Sequence, residues 1–169
     1  MAQSETKPRK RVLLLCTGNC CRSQMAEALF RHMAGSRFDI GSAGSHPAGY
    51  IHPLAIETMR RMNVPMDGQY SKSWDEFANL QNDIIITLCD NAAITPCPSW
   101  PGHPAASHWG LPDPSFASGT EEQRLAAAAS VARRLEQMFK QFLALPIEDL
   151  SPQELKTALD RIAQSSSPP

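Results

Sequence analysis

The sequence predicts an α/β protein, a three-layer sandwich around a central four-stranded parallel sheet. Three observations lead there. Short apolar runs, Arg11–Leu15 and Asp83–Leu88, alternate with longer segments whose apolar residues step by three and four. The Asp83–Leu88 run is β-branched or apolar at every position after Asp83, as an inner parallel strand requires. Strands that alternate with helices favour right-handed crossovers, which place successive strands parallel.

The elements follow in order. Arg11–Leu15 reads as the first, buried strand, and Ser23–Phe30 carries a helical pattern. Residues Arg37–Ser42 form a candidate second strand. A helix opens at His52-Pro53 and runs through Met62, with Pro53 in the first turn, where a missing N–H costs nothing. Ser73-Trp74-Asp75-Glu76 matches a capping box for a short helix ending near Leu80. Asp83–Leu88 is the third strand and residues 107–110 the fourth. A long helix then spans Glu121–Leu145, its buried face marked by Leu125, Ala128, Ala132, Leu135, Phe139 and Phe142. These elements define a catalytic domain over 11–145, preceded by a flexible tail, 1–10. The extension 146–169 holds a short helix from Ser151 to Ala163, with Leu155, Leu159 and Ile162 on one stripe, and then a polar, disordered end.

Composition excludes several classes. A chain of 169 residues fits one domain with a real core. A net charge of −1 gives no field toward nucleic acid or an anionic membrane. No apolar run approaches the roughly 20 residues of a membrane span, and no secretory signal is expected. Five cysteines, an odd number, argue for reduced and chemically active thiols in a cytoplasmic protein rather than a disulfide framework.

The chemistry concentrates in Cys16-Thr17-Gly18-Asn19-Cys20-Cys21-Arg22-Ser23. A cysteine stands where a strand ends, and an arginine where a helix begins. The backbone N–H groups of the loop and helix N-terminus, over Thr17, Gly18, Asn19, Cys20, Cys21 and Arg22, can cup a tetrahedral oxyanion. The same field is expected to lower the Cys16 pKa, and Arg22 adds a two-pronged donor for anion oxygens. The plainer reading is a buried structural cysteine beside a helix-capping serine.

Cys89 follows the Asp83–Leu88 strand directly, as Cys16 follows the first. In a parallel sheet those strand ends share one edge, where ligands bind. Cys97 comes eight residues later, between Pro96 and Pro98. In a continuous helix that spacing separates residues by about 12 Å, against roughly 4.4–6.8 Å between the Cα atoms of a disulfide. Cys89 and Cys97 are thus a redox pair if the segment bends, or otherwise two unrelated thiols. In His108-Trp109-Gly110-Leu111-Pro112-Asp113-Pro114, Asp113 sits on a stiff loop between two prolines. It is the general-acid candidate, against the alternative of an ordinary Asp-Pro turn. Paired C-x-x-C spacing is absent, which argues against zinc; no metal and no cofactor are expected.

The segment Cys16–Glu27, with Thr87-Leu88-Cys89-Asp90 and His108–Pro114, resembles the low-molecular-weight protein tyrosine phosphatase superfamily, and within it the phosphatase-fold arsenate reductases. The likeness runs from about Arg11 to Leu145. The typical phosphatase has proline where this chain has Gln24, and aromatic residues after its Asp-Pro where Ser115, Phe116, Ala117 and Ser118 stand here. The resemblance implies a low-molecular-weight phosphotyrosine phosphatase-like fold and a redox cycle. Cys16 attacks arsenate held by Arg22 and the loop, Ser23 supports the thiolate, and Asp113 protonates the departing oxygen. Cys89 then displaces arsenite, and Cys97 takes over Cys89. Thioredoxin, or glutathione with glutaredoxin, is the implied reductant. Two other readings compete: a phosphatase that hydrolyses phosphate monoesters through a cysteinyl-phosphate intermediate, and a non-enzymatic thiol sensor or zinc protein. A thiol sensor has no need of Arg22 or Asp113.

Overall fold

The computed structural model describes residues 8–89 and 100–165. The expectations for Cys97 and its neighbouring loop, for the start of the N-terminal tail and for the last four residues lie outside the described residues.

Four parallel strands form the sheet in the order β2-β1-β3-β4, with β1 at Arg11–Cys16, β2 at Asp39–Gly44, β3 at Ile84–Thr87 and β4 at Ala105–His108. The central strand β1 is apolar from Val12 to Leu15 because both its faces are covered. On one face Val12, Leu14, Ile84 and Ile86 meet helices α1 (Arg22–Ala34), α2 (Pro53–Arg61), α3 (Glu121–Leu143) and α4 (Pro152–Ser165). Phe30 of α1 stacks on Phe139 of α3 at 4.3 Å between ring centres, and Phe142 meets the same ring edge-on at 4.9 Å. On the other face Leu13, Leu15, Ala43 and Ile85 pack with Trp74, Phe77 and Trp100. Gly41 makes that approach possible, since a Cβ there would stand 2.8 Å from the Phe77 ring.

The strands are shifted from their expected bounds for local reasons. β2 runs from Asp39 to Gly44 rather than Arg37–Ser42. Arg37 instead spends its guanidinium on the carbonyls of Leu143, the last residue of α3, and Leu145, while Ala43 and Gly44 pair with Leu15 and Cys16. β3 is shorter than the expected Asp83–Leu88, though Asp83 and Leu88 at its two ends still donate their N–H groups to the Arg11 and Leu15 carbonyls. β4 ends at His108, where Trp109 turns inward. Ser73 caps a single 3₁₀ turn, Trp74–Phe77, by accepting from the Asp75 N–H. The expected capping box with Glu76 does not form, since that carboxylate accepts the Tyr70 hydroxyl. A full capping box is instead found at Thr120 and Gln123, opening α3, and a reciprocal one joins Ser151 and Glu154 before α4.

Helix α4 buries its stripe of Leu155, Leu159 and Ile162 in the main core. The indole N–H of Trp109 donates to the Leu159 carbonyl at 3.1 Å, and the Ser107 hydroxyl donates to Asp160 at 2.6 Å. The last helix thereby braces the stretch that leads from β4 to Asp113. Leu159 is fully buried, so Leu159→Ala should cost about 2–5 kcal/mol. Urea denaturation should show this as a lower midpoint, and an unchanged midpoint would mean that α4 adds nothing to the fold.

Candidate active site

Parallel pairing sets Cys16 opposite Gly44 and Leu15 opposite Thr87, so the C-terminal ends of β1, β2 and β3 share one edge of the sheet. Cys16 is the last residue of β1 and is buried. Between it and α1 the chain makes a tight loop, turned by Asn19 at φ 47°, a left-handed conformation that asparagine tolerates better than most residues.

The loop's carbonyls are all engaged. Cys16 O accepts from Ser45 N–H, Thr17 O from His46 N–H, Gly18 O from Ala48 N–H and Cys20 O from His52 N–H, over 2.8–3.3 Å. Asn19 O accepts from the Gln24 side chain, and Cys21 O takes the Met25 N–H, the first turn of α1. In a trans peptide the N–H points away from the C=O. Carbonyls turned outward therefore leave the N–H groups of residues 17–22 facing the concave side. No side chain caps the N-terminus of α1. Gly44 is required beneath this turn: a Cβ there would fall 2.4 Å from the Thr17 carbonyl oxygen.

Cys16 Sγ lies 2.9 Å from the Ser23 hydroxyl and 3.2 Å from the Asn19 N–H. The Asn19 side-chain amide donates to Ser23 Oγ at 2.8 Å and to Ser42 Oγ at 3.0 Å. Ser23 Oγ thus accepts from Asn19 and keeps its own proton for Cys16. Arg22 reaches across the cup to the Leu111 carbonyl at 2.9 Å and to Asp113 Oδ2 at 3.2 Å. The other oxygen of Asp113 accepts from the Ser115 N–H and hydroxyl at 2.9 and 2.7 Å, which caps the 3₁₀ turn Pro114–Phe116. Arg22 therefore ties the Asp113 loop to the head of α1, beside the cup. Cys89 Sγ stands 3.2 Å from the Thr17 hydroxyl, at the rim of the same cup. Hydrogen bonds thus join Cys16 to Ser23, Arg22 to Asp113 and Cys89 to Thr17 around this loop. Cys97 lies outside the described residues.

Electrostatics correct one expectation. Burial pushes the Cys16 thiol above its ordinary value; Ser23, the Asn19 amide and Arg22 all pull it down, but desolvation is the larger influence. Burial likewise pushes Cys21 up to about 12, so it is a packing residue at the head of α1. Cys20, half-buried, is also pushed up, with the Cys16 and Asp113 charges adding to desolvation.

Sequence reasoning missed the strap Gln69-Tyr70-Ser71-Lys72 that grips the cup from outside. Gln69 donates to the Gln24 side chain at 2.9 Å, Tyr70 O accepts from Gln24 at 3.0 Å, Ser71 Oγ donates to Gly18 O at 3.1 Å and Lys72 N–H donates to Asn19 Oδ1 at 2.9 Å. The departure at Gln24 from the phosphatase pattern was the one signal available. A proline there could not form these side-chain bonds.

The chain belongs to the low molecular weight phosphotyrosine protein phosphatase family, whose model matches residues 11–158. It is 37% identical over 134 residues to an arsenate reductase of Oceanobacillus iheyensis, covering 79% of this chain and 95% of the relative. An arsenate reductase of Bacillus subtilis is 36% identical over 133 residues, 79% of this chain and 94% of the relative. Among solved structures, an arsenate reductase in the phosphate binding state superposes with a TM-score of 0.66 at 27% identity, over 80% of this chain and 97% of that one. A thioredoxin-dependent arsenate reductase of Corynebacterium glutamicum gives 0.57 at 30% identity, over 79% of this chain and 63% of that one.

Ser23 supplies a hydrogen bond that lowers the Cys16 pKa. Removing it in Ser23→Ala should raise that pKa further. A hydrogen bond to a charged group is worth about 1.5–3 kcal/mol, which corresponds to about one to two pH units. The pH profile of Cys16 alkylation by iodoacetamide should move up by that amount; an unchanged profile would remove Ser23 from the support of the thiolate.

Proposed function

We propose that the protein is an arsenate reductase that converts arsenate to arsenite by a cysteine relay, in the cytoplasm, where thiols stay reduced. The observation that carries this reading is the second thiol at the rim, Cys89, held at 3.2 Å by the hydroxyl of Thr17 in the cup. Hydrolysis of a phosphate ester needs only Cys16, Arg22 and Asp113; a second thiol in this place serves redox chemistry.

Arsenate enters the cup with its oxygens on the N–H groups of Thr17, Gly18, Cys20, Cys21 and Arg22 and on the Arg22 guanidinium, which exchanges Leu111 and Asp113 for the anion. Asn19 keeps its N–H on the sulfur. A dianionic substrate can accept the proton of the buried Cys16 thiol, so nucleophile and leaving group are prepared together. The thiolate attacks arsenic, an S–As bond forms, and one oxygen leaves as water with a proton from Asp113. Cys89 then attacks the Cys16 sulfur. The S–As bond breaks with its electron pair remaining on arsenic, arsenite departs, and a Cys16–Cys89 disulfide remains. Cys97 attacks Cys89, which returns Cys16 to the thiol and leaves a Cys89–Cys97 disulfide. Thioredoxin is the favoured reductant, in keeping with the thioredoxin-dependent Corynebacterium relative; glutathione with glutaredoxin is the other arm of the test.

The reduced protein, given arsenate with each reductant in turn, should form arsenite continuously with at least one of them. Cys16→Ser should abolish both arsenite formation and the hydrolysis of an aryl phosphate. Cys89→Ser should abolish arsenite formation and retain slow aryl-phosphate hydrolysis. Arsenite production by Cys89→Ser at the wild-type rate would sink the relay.

Cys97→Ser should release one equivalent of arsenite and then stall, with Cys16 and Cys89 joined in the trapped disulfide seen by peptide mapping. Steady turnover of this variant with thioredoxin alone would leave a two-cysteine mechanism.

A further inference from the structure

A buried ion pair lies beneath the cup and takes no part in the relay. Glu27 of α1 is 1% exposed and Lys72 of the strap is 8% exposed, with Nζ 3.7 Å from Glu27 Oε1. The ammonium also donates to the Tyr70 carbonyl at 3.1 Å and lies 4.6 Å from the centre of the Tyr70 ring. Two ions removed from water cost more than they return unless geometry and further hydrogen bonds compensate. This pair is therefore expensive for stability alone.

Its hydrogen bonds lead to the nucleophile. The Ser42 hydroxyl donates to Glu27 Oε1 at 3.3 Å. With its proton so committed, Ser42 Oγ accepts one N–H of the Asn19 amide at 3.0 Å. The other N–H of that amide goes to Ser23 Oγ at 2.8 Å, and the Ser23 proton is left for Cys16 Sγ at 2.9 Å. The orientation of the amide is fixed from the far side, where Asn19 Oδ1 accepts the backbone N–H of Lys72 itself at 2.9 Å. Lys72 thus holds both ends of the chain, one through its backbone and one through its charge. Arg31 reaches the other Glu27 oxygen only at 3.6 Å and is half exposed, and that oxygen accepts no hydrogen bond among the described residues.

We propose that Lys72 is a positioning residue for the Cys16 nucleophile: its ammonium is the internal counter-charge that keeps the Glu27 carboxylate beneath the cup. The carboxylate in turn orders the donors Ser42, Asn19 and Ser23 toward the sulfur. This rests on Cys16 being the nucleophile of the proposed function. Glu27, Arg31 and Glu76 are the charged groups that act on Lys72. Arg22 and Cys89 act on Cys16, and Cys20, Cys21 and Asp113 complete the cup.

The test is the pH profile of Cys16 alkylation by iodoacetamide, with the alkylated cysteine identified by peptide mapping. Lys72→Met keeps the stem and removes the charge. It leaves Glu27 uncompensated beside the chain of donors, so the profile should shift up by about one unit, about a tenfold slower reaction at neutral pH. The double variant Lys72→Met with Glu27→Gln removes both charges and keeps an acceptor for Ser42, so its profile should return to that of the wild type. Lys72→Arg, which keeps the charge, should also match the wild type. A Lys72→Met profile that superimposes on the wild type, or a double variant as displaced as the single one, overturns the proposal. Should Lys72→Met not fold, the double variant and Lys72→Arg carry the comparison, and an upward shift in either one is the overturning result. Iodoacetamide needs no arsenate. A protein that alkylates as described but forms no arsenite overturns the proposed function and leaves the positioning role supported.

Discussion

The cup depends on one residue held in an unusual conformation. Asn19 turns the loop at positive φ, and its side chain is bonded at both ends: the amide nitrogen to Ser23 and Ser42, the amide oxygen to Gln24 and Lys72. Glycine would adopt the same backbone more easily but would bring none of these bonds. Aspartate could accept from Lys72 and Gln24 but could not donate to both serines. The strained turn persists because four neighbours from three separate segments over-determine it. The outward carbonyls, the inward N–H groups and the placement of the thiol all follow from that turn.

The sheet supplies the rest of the geometry. β1 is buried on both faces, and its fixed pairing with β2 and β3 sets the height at which Cys16, Gly44 and Thr87 leave the sheet. Close-packed strands resist displacement, so the strand ends that carry Cys16 and lead to Cys89 keep a constant relation. The Asp113 loop is held from two directions: Arg22 ties it to the head of α1, and Trp109, anchored on α4, fixes its root. A carboxylate that can approach the reacting centre therefore stands on a stem that cannot wander.

Much of this was legible in the chain. A cysteine ending an apolar run and an arginine opening a helical pattern suffice to locate the cup, because local spacing decides it. Cys89 was legible for a topological reason: strands of a parallel sheet end on the same edge. Strand limits were less so, since the side chains of Arg37 and Trp109 at those limits bond to tertiary partners beyond residue 140 that no local pattern announces. The strap 69–72 has no apolar period, and its importance lies in bonds to residues some fifty positions away. The direction of the Cys16 pKa was misjudged because donors can be counted in a motif, whereas desolvation is set by everything that closes around it.

The helix that braces Trp109 has another effect. β4 is the last strand of the sheet, and such a strand ordinarily offers a row of unused backbone groups to any extended chain it meets. Here Lys156 of α4 donates to the Ala106 carbonyl at 3.1 Å, and Asp160 takes the hydroxyl of Ser107 on the same strand. The strand thereby meets a charged helix rather than another strand. The sheet is in this way protected, on its β4 side, from joining the sheets of its own copies.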